Sequence, residues 1–561
     1  MSAHVDTPTL VLGGAVLAAL ALTYKLRPPP SQIHPFLLGR QAASAPTRNE
    51  RESPVYRSSA NGGVRAPYRP DRALRTLADI VARTQTCFEG GGRGLWLTGG
   101  DRLLDVVTAL RAGLVNALAS TPGRVLVAVE DPTDALLVTL ALATSQHKPI
   151  VIAPGSAVPA DLDFAAVVRT QNALPANFTA AKVINLDEAD REDAQELLAT
   201  GKQLVADGKD GAASAGDAGD LALSLVSEGI RLDLTNQNLT ASLVSWTSLF
   251  PPSPKPTKPT IKDFVLSFHH PSTPYGLGLA LMLIYHSASL SFAALPDLDE
   301  DADNDVAAEA LVSVLSPKDA PPTTLIFAPA ATLAEPLYKL LLLKMLGDSS
   351  FIVRQARDGK LRLLREGSVS KQTFWDSLLF KGLRKDVRLS HLRALFLASP
   401  PALAQSRLET LRSALGCPVV PTLEHALLVA PLANAHMWDV QRLPPPGLRG
   451  PLTGAEKNHV GAPTLGVEIK LSGKEDEIAA GRIKGEILLR SPLLPHPSTL
   501  PSSLLSTDSS LPQLPPYPGQ SASSSGGGSG AEGGAGEGAS SRWLRTGVHA
   551  EMSTEGTLWL Q

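Results

Sequence analysis

The sequence predicts an α/β fold in which parallel sheets are flanked by helices. Short apolar runs bounded by Pro, Gly and Asp alternate with stretches whose apolar residues recur at helical spacing. The run from Arg124 to Val129 lies between Pro-Gly and Asp-Pro and has no polar face, which is typical of a strand buried on both sides. The 561 residues are 43% hydrophobic and 19% charged, so the chain is expected to fold as about two to four domains.

The remaining elements follow in order along the chain. Helices are predicted over Ala73 to Ala82, Leu103 to Leu118 and Asp134 to Ala143. Further strands are predicted at Pro149 to Ala153, Phe264 to Phe268, Thr323 to Phe327 and Leu392 to Leu397. Because helices alternate with the strands, the sheets are expected to be parallel.

The N-terminus carries a candidate membrane anchor. Thr7 to Tyr24 contains 18 residues without a charge, and as a helix it would span roughly 27 Å, enough for the hydrocarbon core of a bilayer. Lys25 and Arg27 follow it, which predicts a cytosolic main domain. The host membrane is expected to be that of the endoplasmic reticulum, the peroxisome or the mitochondrial outer membrane, and the sequence does not distinguish among them. A cleaved signal peptide is an alternative, although its positive charge should precede the apolar run. A buried or interfacial helix is another.

Composition excludes several classes of function. The formal net charge of -3, without a sustained basic stripe, argues against nucleic-acid binding. Cys87 and Cys417 lie far apart and have no Cys/His spacing around them, so neither a disulfide framework nor a zinc site is predicted. They are expected to be reduced thiols.

Gly-rich and Pro-rich segments are expected to be linkers. The candidates are Asp207 to Ala218, Pro251 to Pro259 and Pro495 to Ser541. The cluster Glu89 to Gly94 lacks the Lys-Ser/Thr pair of a phosphate-binding P-loop.

Four ordered stretches carry a family likeness. They are Leu232 to Leu239 with the strand after it, Leu392 to Gly416, His459 to Pro492, and Trp543 to Leu558. The third includes the pattern Gly-Ala-Pro-Thr-Leu-Gly-Val-Glu-Ile-Lys, and the fourth begins Trp-Leu-Arg-Thr-Gly. In this order they resemble the adenylate-forming superfamily, specifically its long-chain acyl-CoA synthetase branch.

The resemblance implies a domain plan. Residues 7–24 would be the transmembrane anchor, 25–70 an extended lead-in, and 71–450 the large AMP-binding-like α/β domain. Residues 451–561 would form a small β-barrel subdomain interrupted by a disordered insertion at 495–541. The family joins a fatty acid to AMP with Mg-ATP and then transfers the acyl group to coenzyme A.

The residues that should handle nucleotide differ from the family pattern. Counting back from Asn238 without a gap puts the phosphate loop on Ala222 to Arg231, where Leu225 and Val226 replace hydroxyl residues and Ile230 replaces the lysine. Arg231 could act as a substitute cation. An ordinary strand and turn is the favoured interpretation, because bulky side chains keep backbone N–H groups away from phosphate.

The other site residues are also altered. Glu424 could supply the metal-binding acid, and Val548 replaces the ribose-binding aspartate next to Thr546 and Gly547. The vestigial nucleotide-binding set is therefore Ser224, Ser227, Glu424, Thr546 and Gly547. Thr273, Tyr275 and Gly276 would belong to the acyl-pocket loop. No catalytic residue is predicted. No metal site is predicted either, because His269 and His270 are adjacent and their side chains should point to opposite faces of a strand.

These substitutions, with the expected loss of the family's smaller C-terminal domain after Gln561, predict a membrane-anchored pseudoenzyme. It would have a binding or scaffolding role in lipid metabolism. A fatty-acyl group is a possible ligand, no cofactor is expected, and the protein partners are unknown. The alternative is an active ATP-dependent long-chain fatty-acid–CoA ligase using Mg-ATP and coenzyme A. A Rossmann-type dehydrogenase would need a Gly-rich strand-to-helix turn, which the sequence lacks.

Overall fold

The computed structural model describes most of the chain. The described residues are 12–16, 35–63, 67, 69–84, 102–121, 123–156, 158–159, 162–170, 182–186, 191–212, 216–251, 258–295, 304–316, 320–346, 351–399, 403–440, 459–495, 500–501, 504 and 543–560. The predicted anchor lies mostly outside them, although residues 12–16 are helical. In the part of the chain that is described, no helix combines the length and apolar character needed to cross a bilayer. The Gly cluster at 89–94 and nearly all of the insertion at 495–541 also lie outside the described residues.

Beyond the helical residues 12–16, the described part of the first half contains eight strands and six α-helices. The strands are β1 (Ala42–Ser44), β2 (Tyr56–Ser58), β3 (Val125–Ala128), β4 (Pro149–Ile152), β5 (Ala166–Arg169), β6 (Lys182–Asn185), β7 (Leu221–Ser227) and β8 (Ile230–Thr235). The helices are α1 (Pro35–Leu38), α2 (Leu77–Ala82), α3 (Leu103–Ala117), α4 (Pro132–Ala143), α5 (Arg191–Ala206) and α6 (Asn236–Ser248).

Six of these strands form one sheet in the order β6-β5-β3-β4-β7-β8. All neighbours run parallel except β7 and β8, which form an antiparallel hairpin at one edge. The central strands β3 and β4 are buried along their whole length, as their continuous apolar runs predict. The helix after the hairpin begins with a capping box, in which Thr235 accepts from the Asn238 backbone and Asn238 accepts from that of Thr235.

The second half supplies the larger sheet. Its strands are β9 (Phe264–Ser267), β10 (Ser289–Phe292), β11 (Leu325–Pro329), β12 (Ala394–Ser399), β13 (Val419–Leu423), β14 (Ala433–Asn434), β15 (His459–Pro463), β16 (Glu468–Ser472), β17 (Lys484–Arg490), β18 (Leu544–Met552) and β19 (Leu558–Leu560). Its helices are α7 (Pro274–Tyr285), α8 (Asn304–Leu315), α9 (Ala330–Leu346), α10 (Phe351–Arg365), α11 (Lys381–Asp386), α12 (Gln405–Leu415) and α13 (Glu475–Ala479), with a π-helical turn over Asp376–Phe380 before α11.

The larger sheet has thirteen strands in the order β1-β2-β16-β17-β18-β19-β15-β14-β13-β12-β11-β9-β10. From β13 to β10 the strands are parallel, whereas from β1 to β15 they are antiparallel. The short strand β14 pairs with both β13 and β15 and so joins the two parts. The mixed α/β fold with parallel-rich sheets therefore confirms the predicted fold class.

The predicted small β-barrel is not confirmed. The antiparallel strands between β2 and β15 bend far enough that these two strands contact each other. No hydrogen-bonded ladder joins them among the described residues. The lead-in contributes to this part, because Arg57 of β2 lies opposite Glu468 of β16.

Candidate functional site

The segment aligned with the family's phosphate loop is a tight β-hairpin. β7 ends at Ser227, β8 begins at Ile230, and only Glu228 and Gly229 lie between them. Both turn residues have positive φ, 51° and 76°, as a type I′ turn requires. The gap-free alignment therefore places the loop on residues that belong to two paired strands.

The polar side chains of this hairpin bind one another. Ser224 lies opposite Asp233 across the ladder, and its Oγ donates a 2.5 Å hydrogen bond to Asp233 Oδ1. Arg231, the candidate substitute cation, donates through Nε and Nη2 to the two oxygens of the same carboxylate, each at 2.8 Å. Ser227 lies at the end of the ladder, half-buried and paired with Ile230. Sequence analysis missed Asp233, although its i, i+2 spacing from Arg231 was the available signal.

These residues do not fit a nucleotide polyphosphate. A phosphate cradle needs successive unpaired backbone N–H groups around small residues. Here Leu225 is paired with Val151 on one side and with Leu232 on the other. The turn adds the carboxylate of Glu228, which repels an anion, and the nearest cation, Arg231, is neutralised by Asp233.

A second group of polar residues lies at the carboxyl edge of the parallel strands, where ligands bind in open α/β sheets. His269 follows β9, Ser399 ends β12, and Glu424 follows β13. The backbone N–H of Glu424 donates to the Ser399 carbonyl at 3.0 Å, which fixes the two strand ends side by side. The hydroxyls of Ser399 and of Ser272, both buried, have no hydrogen-bond partner within the described part of the chain.

Glu424 and His269 are close but do not form an ion pair near neutral pH. His269 Nδ1 lies 3.7 Å from Glu424 Oε2. Burial lowers the pKa of His269 to about 3, so its ring is neutral. Burial also raises the pKa of Glu424 to about 7, although about a third of its side chain is exposed. The arrangement therefore offers a carboxyl group that can change protonation state near neutral pH.

The residues assigned to the acyl-pocket loop hold the start of α7 in place. Thr273 is the N-cap: its Oγ1 accepts from the Gly276 backbone and donates to the His270 carbonyl. A Cβ added to Gly276 would lie 2.1 Å from that same carbonyl oxygen, so only glycine fits.

Tyr275 is buried in an aromatic cluster. Its hydroxyl lies 3.0 Å from Thr422 Oγ1, and its ring contacts those of Trp246 and His269 at centroid distances of 4.8 and 4.4 Å. Burial raises the pKa of Tyr275 well above its usual range. Trp246 in turn donates to the Val429 carbonyl at 2.9 Å. This cluster forms a wall of the carboxyl-edge site.

The antiparallel strand β18 brings Thr546 and Gly547 to the same place. The Thr546 carbonyl lies 3.3 Å from His425 Nε2, while its Oγ1 donates to the Ile487 carbonyl. The Gly547 N–H donates to Glu486, and Gly547 has a φ of 69°. Thr546 and Gly547 therefore lie within β18, where the register of the β17–β18 ladder shifts.

The turn of the β7–β8 hairpin reaches this region as well. Burial lowers the pKa of His425, and the Thr546 carbonyl and the carboxylate of Glu228 offset only part of that lowering. Of the five predicted vestigial residues, Glu424 precedes His425 in the chain, and Thr546, which Gly547 follows in β18, contacts the His425 ring through its carbonyl. Ser224 lies back along β7, bound to Asp233.

The fold is that of adenylate-forming enzymes. A long-chain-fatty-acid-CoA ligase (FadD1) from Archaeoglobus fulgidus matches with a TM-score of 0.53 and 13% identity, over 89% of this chain and 85% of that chain. NpsA from Klebsiella oxytoca, in complex with 3-hydroxyanthranilyl-AMSN, matches with a TM-score of 0.52 and 13% identity, over 87% and 79%. The amide bond synthetase Mcba from Marinactinospora thermotolerans matches with a TM-score of 0.51 and 16% identity, over 86% and 77%.

At these identities the likeness shows the fold alone. No protein-family model matches the sequence, and no curated protein matches it either.

Proposed function

We propose that this protein is a membrane-anchored pseudoenzyme of the adenylate-forming fold, which binds a ligand without activating it. One observation carries the proposal: the segment that the gap-free alignment assigns to the phosphate-binding loop contains a two-residue turn between paired strands. Removing a single preorganised donor from an enzyme site commonly slows the reaction by roughly 10²–10³. Loss of a whole phosphate cradle should therefore abolish adenylation.

The carboxyl-edge site supports a retained binding role. Glu424 is a carboxyl group poised to titrate near neutral pH, and the buried hydroxyls of Ser272 and Ser399 have no protein partner among the described residues. Unsatisfied buried hydroxyls are costly unless water or a ligand meets them. We propose a fatty-acyl ligand or its carboxyl end, because the resemblance and the archaeal ligase of similar fold both concern fatty acids.

The predicted helix at 7–24 supports membrane attachment with the folded part in the cytosol. Its 18 uncharged residues are followed by Lys25 and Arg27. The host membrane would be that of the endoplasmic reticulum, the peroxisome or the mitochondrial outer membrane.

ATP–pyrophosphate exchange by the full-length chain in detergent, with a range of fatty acids, tests the proposal. We expect no exchange above a no-protein control. Exchange that depends on Mg-ATP and a fatty acid would instead establish the alternative, an active long-chain fatty-acid–CoA ligase.

Thermal unfolding separates binding from catalysis. A ligand at one hundred times its Kd stabilises the folded state by about 2.7 kcal/mol. We expect a fatty acid to raise the Tm of the full-length chain and Mg-ATP to leave it unchanged. A rise with Mg-ATP would contradict the proposed loss of nucleotide binding.

A further inference from the structure

Two buried cations, Lys360 and Arg412, line a small cavity at the other edge of the larger sheet, and a third, Arg384, binds the same carboxylate as Lys360. The cavity lies between α10, α12 and the loop that follows α10, and is lined by Lys360, Leu363, Leu364, Ser368, Val369, Ser370, Thr373, Arg412 and Ser413. It has room for about one water-sized sphere. Arg412 donates to the carbonyl of Val419, the first residue of β13, so this cavity lies at the amino edge of the parallel strands, opposite the candidate site.

Two of the cations share a single carboxylate. Lys360 Nζ lies 2.6 Å from Asp376 Oδ2, and Arg384 Nη1 lies 2.7 Å from Asp376 Oδ1. All three side chains are at least 95% buried. This cluster therefore carries one net positive charge.

Arg412 adds a second uncompensated charge. It is 1% exposed, and its Nε and Nη2 both donate to the Val419 carbonyl. No carboxylate in the described part of the chain lies within ion-pair distance of it. Burial lowers the pKa of Arg412 to about 10, so it still carries its charge at neutral pH.

Two hydrogen-bond donors that line the cavity have no acceptor among the residues that the structure describes. They are Arg412 Nη1 and the hydroxyl of Ser368, which is 5% exposed. Glu409 and Asp439 are the acidic groups whose charges act on Arg412. Asp439 is already bound by His459 and Gln41, and Glu409 accepts from Gln405, so neither meets these donors.

Tight local packing holds the cations together. Gly416 ends α12 with a φ of 63°, and a Cβ there would lie 2.9 Å from Lys371, 3.0 Å from the Ser370 carbonyl and 3.2 Å from Arg384. The cavity loop therefore lies directly against the end of α12, and position 416 has no room for a side chain.

We propose that this cavity is a binding site for a small inorganic anion of halide size, held by Arg412 and Ser368. An uncompensated buried guanidinium is strongly destabilising, and a bound anion cancels that charge, whereas a water molecule satisfies only the hydrogen bonds. The inference does not depend on the proposed function, because the two sites lie at opposite edges of the sheet.

Thermal unfolding of the full-length chain in sodium chloride and in sodium gluconate at equal ionic strength tests the site. Chloride should raise the Tm by about 1–2 °C for each tenfold increase above its Kd, and gluconate, which is too large for the cavity, should not. Equal Tm values in the two salts would overturn the proposal and leave a buried water as the occupant.

Matched variants locate the effect. Arg412→Met should lose the chloride dependence, whereas Arg407→Gln, which removes an exposed cation from the same helix, should keep it. If Arg412→Met fails to fold, Ser368→Ala provides the test. Because this variant loses one hydrogen-bond donor, the chloride midpoint, which is the chloride concentration at which the Tm begins to rise, should increase several-fold. An unchanged midpoint in Ser368→Ala would contradict the assigned site.

Discussion

Ser224 Oγ donates to Asp233 Oδ1 across the β7–β8 ladder, and this carboxylate also binds the guanidinium of Arg231. These bonds join Ser224, Asp233 and Arg231 in one network across the two strands of the hairpin, in the segment that the alignment assigns to the phosphate loop. The side chains of Ser224 and Arg231, which could have met phosphate, therefore already have a partner within the hairpin.

The Asp233 carboxylate should contribute to stability and not to nucleotide binding. Asp233→Asn removes the ion pair with Arg231, and because the pair is partly exposed the expected loss is about 1 kcal/mol of unfolding free energy. Urea unfolding measures the loss. If the variant instead gained affinity for Mg-ATP in a binding titration, the hairpin would be a masked phosphate site.

The hairpin turn gives two substitutions of opposite sign. Glu228 has a φ of 51°, which disfavours a side chain, so Glu228→Gly should stabilise the protein by about 0.5–1 kcal/mol. Gly229→Ala, at a φ of 76°, should destabilise it by about 1 kcal/mol. Urea unfolding measures both changes in stability, from the shift of the midpoint at an unchanged m-value. Equal midpoints for the two variants would exclude the type I′ turn.

Protonation of Glu424 should be visible in the pH dependence of stability. Because burial raises the pKa of Glu424 to about 7, the folded state binds more protons than the unfolded state between about pH 4.5 and 7. Stability from this group therefore falls as the pH rises through that window, by about 1 kcal/mol after allowing for its partial exposure.

The variant Glu424→Gln isolates this effect. His269, with its pKa lowered to about 3, contributes the opposite slope between about pH 3 and 6.5 in both proteins. We expect the unfolding free energy of the variant minus that of the wild type to increase from pH 5 to pH 8, because only the wild type loses the contribution of Glu424. A difference that stays constant would show that Glu424 is ionised throughout.

The contact between α7 and the segment after β13 should tolerate no side chain. A Cβ at Gly278 would lie 1.7 Å from the Val429 carbonyl oxygen and 2.7 Å from Trp246 Nε1, so Gly278→Ala should cost about 3 kcal/mol or more. Gly382→Ala in α11, where no atom lies within 4 Å, should stabilise by about 0.5–1 kcal/mol. Thermal unfolding compares the pair, and similar Tm values would contradict this packing.

The buried strands and their helices were predictable from sequence because continuous apolar runs leave few alternatives. The strand expected at Phe264 to Phe268 is observed at Phe264–Ser267, and the one expected at Leu392 to Leu397 at Ala394–Ser399. The lead-in strands were not predictable, since Tyr56–Ser58 is short and its partner Glu468 lies more than 400 residues away.

The candidate site was only partly predictable. The substitutions in the phosphate loop indicated a strand and turn, but the two-residue turn Glu228-Gly229 has no Asn-Gly or Asp-Gly signal to fix its position. Tyr275 was assigned to the acyl-pocket loop, yet its burial against Trp246 depends on the path of α6, which no local pattern specifies. His269 was judged by its neighbour in sequence, whereas its ring nitrogen lies 3.7 Å from the carboxylate of Glu424, which follows another strand.

The pairing of β2 with β16 places a timing constraint on biosynthesis. Arg57 leaves the ribosome 411 residues before its partner Glu468 is made, an interval of roughly 20–80 s at ordinary rates of translation. During that time the edge of the nascent sheet is open, and the predicted anchor has already emerged. A chaperone or the membrane surface would have to protect β1 and β2 until the last strands arrive, so slow-translating messages should yield more aggregated protein.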